Sequence, residues 1–169
     1  PDGKGGWNWN LNGVRRVLYC QPELLASKGR VYICEGEKDV DCLRKHSLTA
    51  TTCPMGAGKW KEEYNDSLKD REVIMLPHND EPGRDHMESI GKTLFGTAKT
   101  IKVVALPDLH EHGDVSDYLE THSKDDLLKE IEGTPFIEGP PSIWDQLESW
   151  EEIQSMEIKV EWMVDQIIS

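Results

Sequence analysis

Four residues, Val31-Tyr32-Ile33-Cys34, run straight into Glu35-Gly36 and then Glu37-Lys38-Asp39. A short apolar run that stops at an acid and a glycine reads as a buried strand. Behind it, Val40 and Leu43 fall at helical spacing with acids in the preceding turn, which predicts a helix over 37–46. Glu35 is thereby placed at the carboxyl end of a strand, on the turn into a helix. Open α/β sheets bind their ligands at that edge. The alternative for Glu35 is a solvated turn residue with no chemistry.

The same alternation continues along the chain. Residues 49–53 read as a strand, Gly56-Ala57-Gly58 as a loop, and 59–68 as a polar helix with Trp60, Tyr64 and Leu68 four apart. A third strand is predicted over 73–76 and a third helix over 81–95, with Pro82 acceptable in its first turn. A fourth strand follows over 101–106. A fourth helix begins at Val115 and resumes over 124–131. Strands alternating with helices imply a four-stranded parallel core with helices on both faces. Right-handed crossovers then bring every strand's carboxyl end to one edge. Three acidic turns fall there: Glu35, His78-Asn79-Asp80, and Asp114 with Asp117.

The ends of the chain read differently. Residues 1–29 form an N-terminal extension, with Trp7, Trp9 and Leu11 alternating before an Asn12-Gly13 turn and 14–19 as the return strand of a hairpin. The two tryptophans beside Arg15 and Arg16 could stack bases; packing an edge strand on the domain is the competing use. The central domain spans 30–132. Pro135, Gly139, Pro140 and Pro141 then mark a break, so 133–169 reads as a linker and a weakly patterned tail.

Charge follows this division. The 169 residues carry a net charge of −13. Residues 121–169 hold 12 acids and 3 bases, while 1–29 hold 2 acids and 4 bases. The middle, 30–120, holds 18 and 12, the balance expected if a carboxylate cluster is kept for a divalent cation. No apolar run reaches membrane-spanning length and no signal pattern opens the chain, so a cytoplasmic protein is expected. Cys20, Cys34, Cys42 and Cys53 form no C-x-x-C pair; buried, reduced thiols are the expectation.

With these turns in place, the chain resembles the toprim family, the catalytic domain shared by bacterial-type primases, topoisomerases and some nucleases. The resemblance rests on Glu35-Gly36, on Asp80-Glu81-Pro82-Gly83-Arg84, and on Gly113-Asp114-Val115-Ser116-Asp117-Tyr118-Leu119. More narrowly it is similar to the toprim region of phage and mobile-element primase–helicase proteins, where these three runs occur in this order. The tail over 158–168 resembles the lead-in to a RecA-type ATPase domain. The resemblance implies a Rossmann-like toprim fold and metal-dependent nucleotidyl transfer on nucleic acid, with single-stranded DNA and nucleoside triphosphates as partners and a RecA-like helicase domain in a longer protein.

Residue roles carry over by position. The resemblance makes Glu35 a general acid/base and metal neighbour, and Asp80 a ligand of Mg²⁺. Asp114 and Asp117 match the later acidic motif, and one of them completes the metal shell. His78 departs from the family, which usually has an aspartate there. Imidazole suits Mn²⁺ better than Mg²⁺. Lys38, Lys59 and Arg84 are the candidate nucleic-acid contacts. Two other readings use the same residues: a degenerate, non-catalytic toprim module for nucleic-acid binding or domain coupling, and a toprim nuclease. Gly56-Ala57-Gly58-Lys59 lacks the spacing and the Ser/Thr of a phosphate-binding ATP loop. His110 and His112 read as solvated loop histidines. Crowded carboxylates in one cleft repel, so some are expected to show raised pKa values without metal.

Overall fold

The computed structural model describes residues 13–56 and 58–137. The strand expected at Trp7–Leu11 and the chain beyond Ile137, with its ATPase lead-in, lie outside the described residues. Four strands, β1 Arg30–Cys34, β2 Ala50–Thr51, β3 Glu72–Leu76 and β4 Thr100–Val103, pair in the order β2-β1-β3-β4. All three pairings are parallel. Among the described residues five α-helices pack around them: α1 Gln21–Ala26, α2 Glu37–Lys45, α3 Glu81–Leu94, α4 Val115–Thr121 and α5 Lys124–Gly133. The α/β fold with a parallel sheet is the one the alternating pattern predicts.

The central strands are buried on both faces, so their side chains sort by parity. Val31, Ile33, Val73 and Met75 face one layer, with Leu24 of α1 and Met87, Ile90 and Leu94 of α3. Tyr32, Cys34, Ile74 and Leu76 face the other, with Val40 and Leu43 of α2, Val115 and Tyr118 of α4, and Leu127 and Ile131 of α5. Each such aliphatic side chain contributes about 1.5–3 kcal/mol by leaving water. The β1–β3 register runs from Arg30 opposite Glu72 to Cys34 opposite Leu76, and an Arg30–Glu72 ion pair of 2.8 Å closes its amino end. The two strands therefore end level, and the turns carrying Glu35 and His78 leave the sheet side by side.

Several elements differ from expectation. Residues 14–19 are not a strand; Val14 and Val17 are exposed, Leu18 is buried, and the Tyr19 amide donates to Thr52 O at 2.9 Å. The docking is concentrated at the end of the segment, where Tyr19 O also accepts from Thr51 Oγ1 at 2.8 Å and the Tyr19 hydroxyl donates to Asp41 at 3.3 Å. The helix expected over 59–68 is a 3₁₀ helix, Glu62–Leu68. It contains Asn65-Asp66-Ser67, residues that compete for backbone hydrogen bonds and disfavour an α-helix interior. Asn65 is buried there, accepting from Trp60 Nε1 at 2.9 Å and donating to Thr93 O at 2.8 Å. β4 ends at Val103, short of 106, because the chain turns back toward the β3 loop. All four cysteines are free, but only Cys34 and Cys53 are buried. No helix among the described residues is long and apolar enough to cross a membrane.

Arg71 holds the α1–β1 connection. Its guanidinium donates to Gly29 O (2.7 Å), Leu24 O (3.3 Å), Ser27 O (3.2 Å) and Ser27 Oγ (2.9 Å). Losing these bonds at once should destabilise the domain by about 2–3 kcal/mol in Arg71→Ala. Urea denaturation measures this; a change within 0.5 kcal/mol, the usual scatter of about ±0.5 kcal/mol for surface substitutions, would show that water replaces them freely.

Candidate metal centre

Backbone and side-chain bonds stitch the turns at the carboxyl edge together. Glu35 Oε1 accepts from the His78 amide at 2.8 Å, joining the β1 turn to the β3 turn. Thr52 Oγ1 donates to Glu35 O at 3.0 Å, joining the β2 end to both. The Asn79 amide donates to Gly113 O at 2.9 Å and Asn79 O accepts from the His112 amide at 3.2 Å. Asn79 Nδ2 adds bonds to Leu109 O (2.9 Å) and His110 O (3.1 Å). The loop before α4 is thus laced to the turn after β3, and residues 17 to 43 positions apart in sequence become neighbours.

Asp39 stands at the centre. It lies in the first turn of α2, is 2% exposed, and accepts from Ser116 Oγ at 2.6 Å. Its other oxygen lies 3.3 Å from His78 Nε2. His78 Nδ1 lies 3.7 Å from Glu35 Oε2, so the imidazole bridges two acids. Asp114 is the N-cap of α4 and forms a capping box with Asp117: its Oδ1 accepts from the Asp117 amide at 2.9 Å, and Asp117 Oδ2 accepts from the Asp114 amide at 3.0 Å. Asp114 Oδ2 holds Lys38 Nζ at 3.0 Å, and Asp117 Oδ1 lies 3.6 Å from the same ammonium. Asp39, His78 and Asp114 each offer one ligand atom, and the three atoms lie within 4.8 Å of one another.

Asp80 is positioned by α3. As its N-cap, Asp80 Oδ1 accepts from the Gly83 amide at 2.7 Å. Its other oxygen lies 2.7 Å from His112 Nδ1. Gly83 is where Glu35 and Asp80 converge. A Cβ there would collide with Glu35 Oε1 and stand 2.9 Å from Asp80 Oδ1 and 3.0 Å from His78 O. One turn on, His86 is buried and its Nδ1 accepts from the Gly58 amide at 3.1 Å, seating the glycine loop on α3.

Asp39 and Asp80 do not titrate as crowding alone predicts. Burial pushes Asp39 up, but the bonds from His78 and Ser116, with the charges of His78 and Lys38, outweigh it and hold the acid below its ordinary value. Asp80 is held low by His112 and by the Gly83 amide. His78 is raised, first by its bond to Asp39 and then by the charge of Glu35, against the opposing pull of burial. Asp80 likewise raises His112. Resident cations and helix N–H groups cancel the repulsion.

The structure gathers Glu35, His78, Asp80, Asp114 and Asp117 along one edge, as the sequence reading requires. Lys38 is there too, bonded to the acids. Arg84 is exposed on the first turn of α3 and lines a small cavity with Pro77, His78, Asn79, Leu106 and Leu109. Lys59 is exposed beyond the glycine loop. His112 is an acid's partner, not a free loop histidine. Sequence reading missed Asp39 and Ser116. The sequence signal for Asp39 is its place four residues before Leu43, on the stripe α2 buries.

No family model and no curated relative matches the chain. Solved structures do. The Escherichia coli primase catalytic core superposes with a TM-score of 0.58 at 20% identity, over 70% of this chain and 39% of that one. A DnaG primase catalytic domain bound to ssDNA gives 0.56 at 19%, over 70% and 39%. The Aquifex aeolicus primase, with its zinc-binding and RNA polymerase domains, gives 0.56 at 19%, over 69% and 28%. The fold is that of the toprim core of primases. The chain spans well under half the length of these structures.

Two outcomes follow from the geometry. Gly83→Ala should destabilise the domain by about 1–3 kcal/mol, because Glu35, Asp80 and the β3 turn must all give way. Thermal melts test this, and an unchanged melting temperature would mean the two carboxylates are free to swing off. The second concerns pH. His78 is raised above its ordinary 6.5 and Asp39 lowered below its ordinary 3.8. The His78 contribution to stability is complete below pH 6.5 and lost as pH rises through the higher folded value; the Asp39 contribution is complete above pH 3.8 and lost as pH falls through the lower one. The stability gap between wild type and Asp39→Asn should therefore be widest between pH 3.8 and 6.5 and narrow above it. Denaturation at stepped pH reads it. A gap that stays level into alkaline solution would show that the pair's charge does not matter.

Proposed function

We propose that this domain is the metal-dependent nucleotidyl-transfer part of a DNA primase acting on nucleic acid, of the phage or mobile-element primase–helicase kind. The observation that carries the reading is the convergence of Asp39, His78 and Asp114 within 4.8 Å, beside Glu35 and at the carboxyl edge of a primase-like fold. The donor set fits a divalent cation. Each acid already recruits a positive or hydrogen-bonding partner: Lys38 on Asp114, imidazole on Asp39, imidazole on Asp80. Two carboxylates and one imidazole favour Mn²⁺ over Mg²⁺.

Asp39, His78 and Asp114 would hold the ion, with Asp80 and Asp117 at the margins of the shell. Bound there, the ion would neutralise charge on a transferred phosphoryl group. Glu35, tied to the His78 amide, would keep one oxygen free to accept or return a proton. Arg84 and Lys59 are exposed on flanking elements and suit phosphate contacts. A solved relative bound to ssDNA supports single-stranded DNA as a partner, with nucleoside triphosphates as the second substrate. In such an assembly residues 30–132 are the toprim domain, 1–29 an extension and 133–169 the route to a RecA-like ATPase. The second reading, a non-catalytic binding or coupling module, is favoured by His78 itself, which already neutralises Asp39.

Divalent binding decides between them. At a hundredfold excess over its dissociation constant, a metal should stabilise the domain by about 2.7 kcal/mol. The melting temperature should rise more with Mn²⁺ than with Mg²⁺. His78→Asp should strengthen Mg²⁺ binding and raise priming or nuclease activity, and Glu35→Gln should abolish that activity. If wild type and His78→Asp both ignore millimolar Mg²⁺ and Mn²⁺, the edge is not a metal site and the binding-module reading takes over.

A further inference from the structure

A pocket of about 240 Å³ opens between α2 and α4, lined by Lys38, Cys42, Lys45, His46, Ser116, Leu119 and Glu120. It shares two walls with the metal centre. Lys38 is the cation on Asp114, and Ser116 is the donor to Asp39. Lys124 joins its rim, donating from Nζ to His46 O at 2.7 Å. Three lysines and a histidine thus gather around one lining carboxylate, Glu120, on a chain whose net charge is −13. Lys45 is exposed, and no ion pair to it is found among the described residues. Lys38 and Lys124 already have partners, so Lys45 is the lysine most available to an anion, and the pocket's size admits a tetrahedral oxyanion with its water.

We propose that this pocket is a phosphate subsite, and that Lys38 turns into it from Asp114 when a divalent cation takes that carboxylate. The ammonium is held at the surface, with 66% of the Lys38 side chain exposed. Water screens the ammonium end, while the Asp114 side chain is only 12% exposed, so a divalent ion with twice the charge would compete for that carboxylate. The released charge has its nearest use in the pocket it already lines. Metal binding and phosphate binding would then reinforce each other through one side chain. The phosphate belongs either to a single-stranded backbone or to a nucleoside triphosphate. The inference rests on the proposed nucleic-acid role of the edge and deepens it.

Equilibrium binding of the intact chain tests this with two probes, a short fluorescent oligothymidylate and inorganic tripolyphosphate. Lys45→Glu should weaken one of them about tenfold, as expected for a lost charge-assisted contact. Lys92→Glu, on the far surface of α3 beside Glu88, should not. Loss of the oligonucleotide alone, with its salt slope falling by about 0.7, assigns the pocket to the backbone. Loss of tripolyphosphate alone assigns it to the triphosphate. The milder Lys45→Gln should give the same pattern in reduced form, which separates lost charge from misfolding. Mn²⁺ should tighten the responding probe in wild type, and Lys38→Gln should abolish that gain. Equal effects of Lys45→Glu and Lys92→Glu, or none from Lys45→Glu, overturn the subsite; a Mn²⁺ gain that survives Lys38→Gln overturns the exchange. If Mn²⁺ binds but neither probe responds, the subsite fails and the metal reading stands. If a probe responds in Lys45→Glu but no metal binds, the reverse holds.

Discussion

A carboxylate with 2% exposure has to be satisfied inside the protein. Burying an unpaired charge costs several kcal/mol even after relaxation, far more than one surface contact returns. Asp39 is satisfied by a hydroxyl from α4 and an imidazole from the turn after β3. Neither partner is on its own helix. The acid can be buried only if α2, α4 and the β3 turn meet, and the bonds from Asn79 to the loop before α4 hold them together. The candidate centre is what remains open at that meeting point.

Much of this was readable in the residues. Apolar runs at 31–34 and 73–76 are strands because a parallel sheet buries both faces, and such strands need no alternation to be recognised. The capping positions of Asp80 and Asp114 follow from the acids that open α3 and α4. Asp39 was hidden because an acid in a first helical turn is ordinary, pleasing the helix dipole wherever it points. Its burial depends on Ser116, 77 residues away. The 3₁₀ winding at Glu62–Leu68 was hidden for a related reason: Trp60, Tyr64 and Leu68 carry an α-helical period, while Asn65 is recruited by Thr93 across the fold. The titration of Asp80 was misread: it is held low, not raised. Counting carboxylates predicts repulsion, but Lys38, His78 and His112 sit among them.

Those cations also determine what kind of change the edge can undergo. The turns are bound to one another through backbone groups, so a large rearrangement of the loops would break several hydrogen bonds at once. Side-chain ammonium and imidazole groups are held only by ion pairs and single bonds. Exchange of cations between ligands is therefore the inexpensive motion, and reorganisation of the backbone the expensive one. An acidic site built this way is neutralised before it meets a metal or a phosphate.

The bond between Glu35 and residue 78 is made to a main-chain amide, not to the imidazole. Every amino acid except proline supplies that amide. The residue at 78 can change without moving Glu35 or the turn that carries it. The tether of Glu35 is thus written in the backbone, while the partner of Asp39 is written in one side chain. Substitution at this position would leave Glu35 tethered but remove one of the two side chains that satisfy Asp39, so its cost would fall on the buried acid and not on the strand turns.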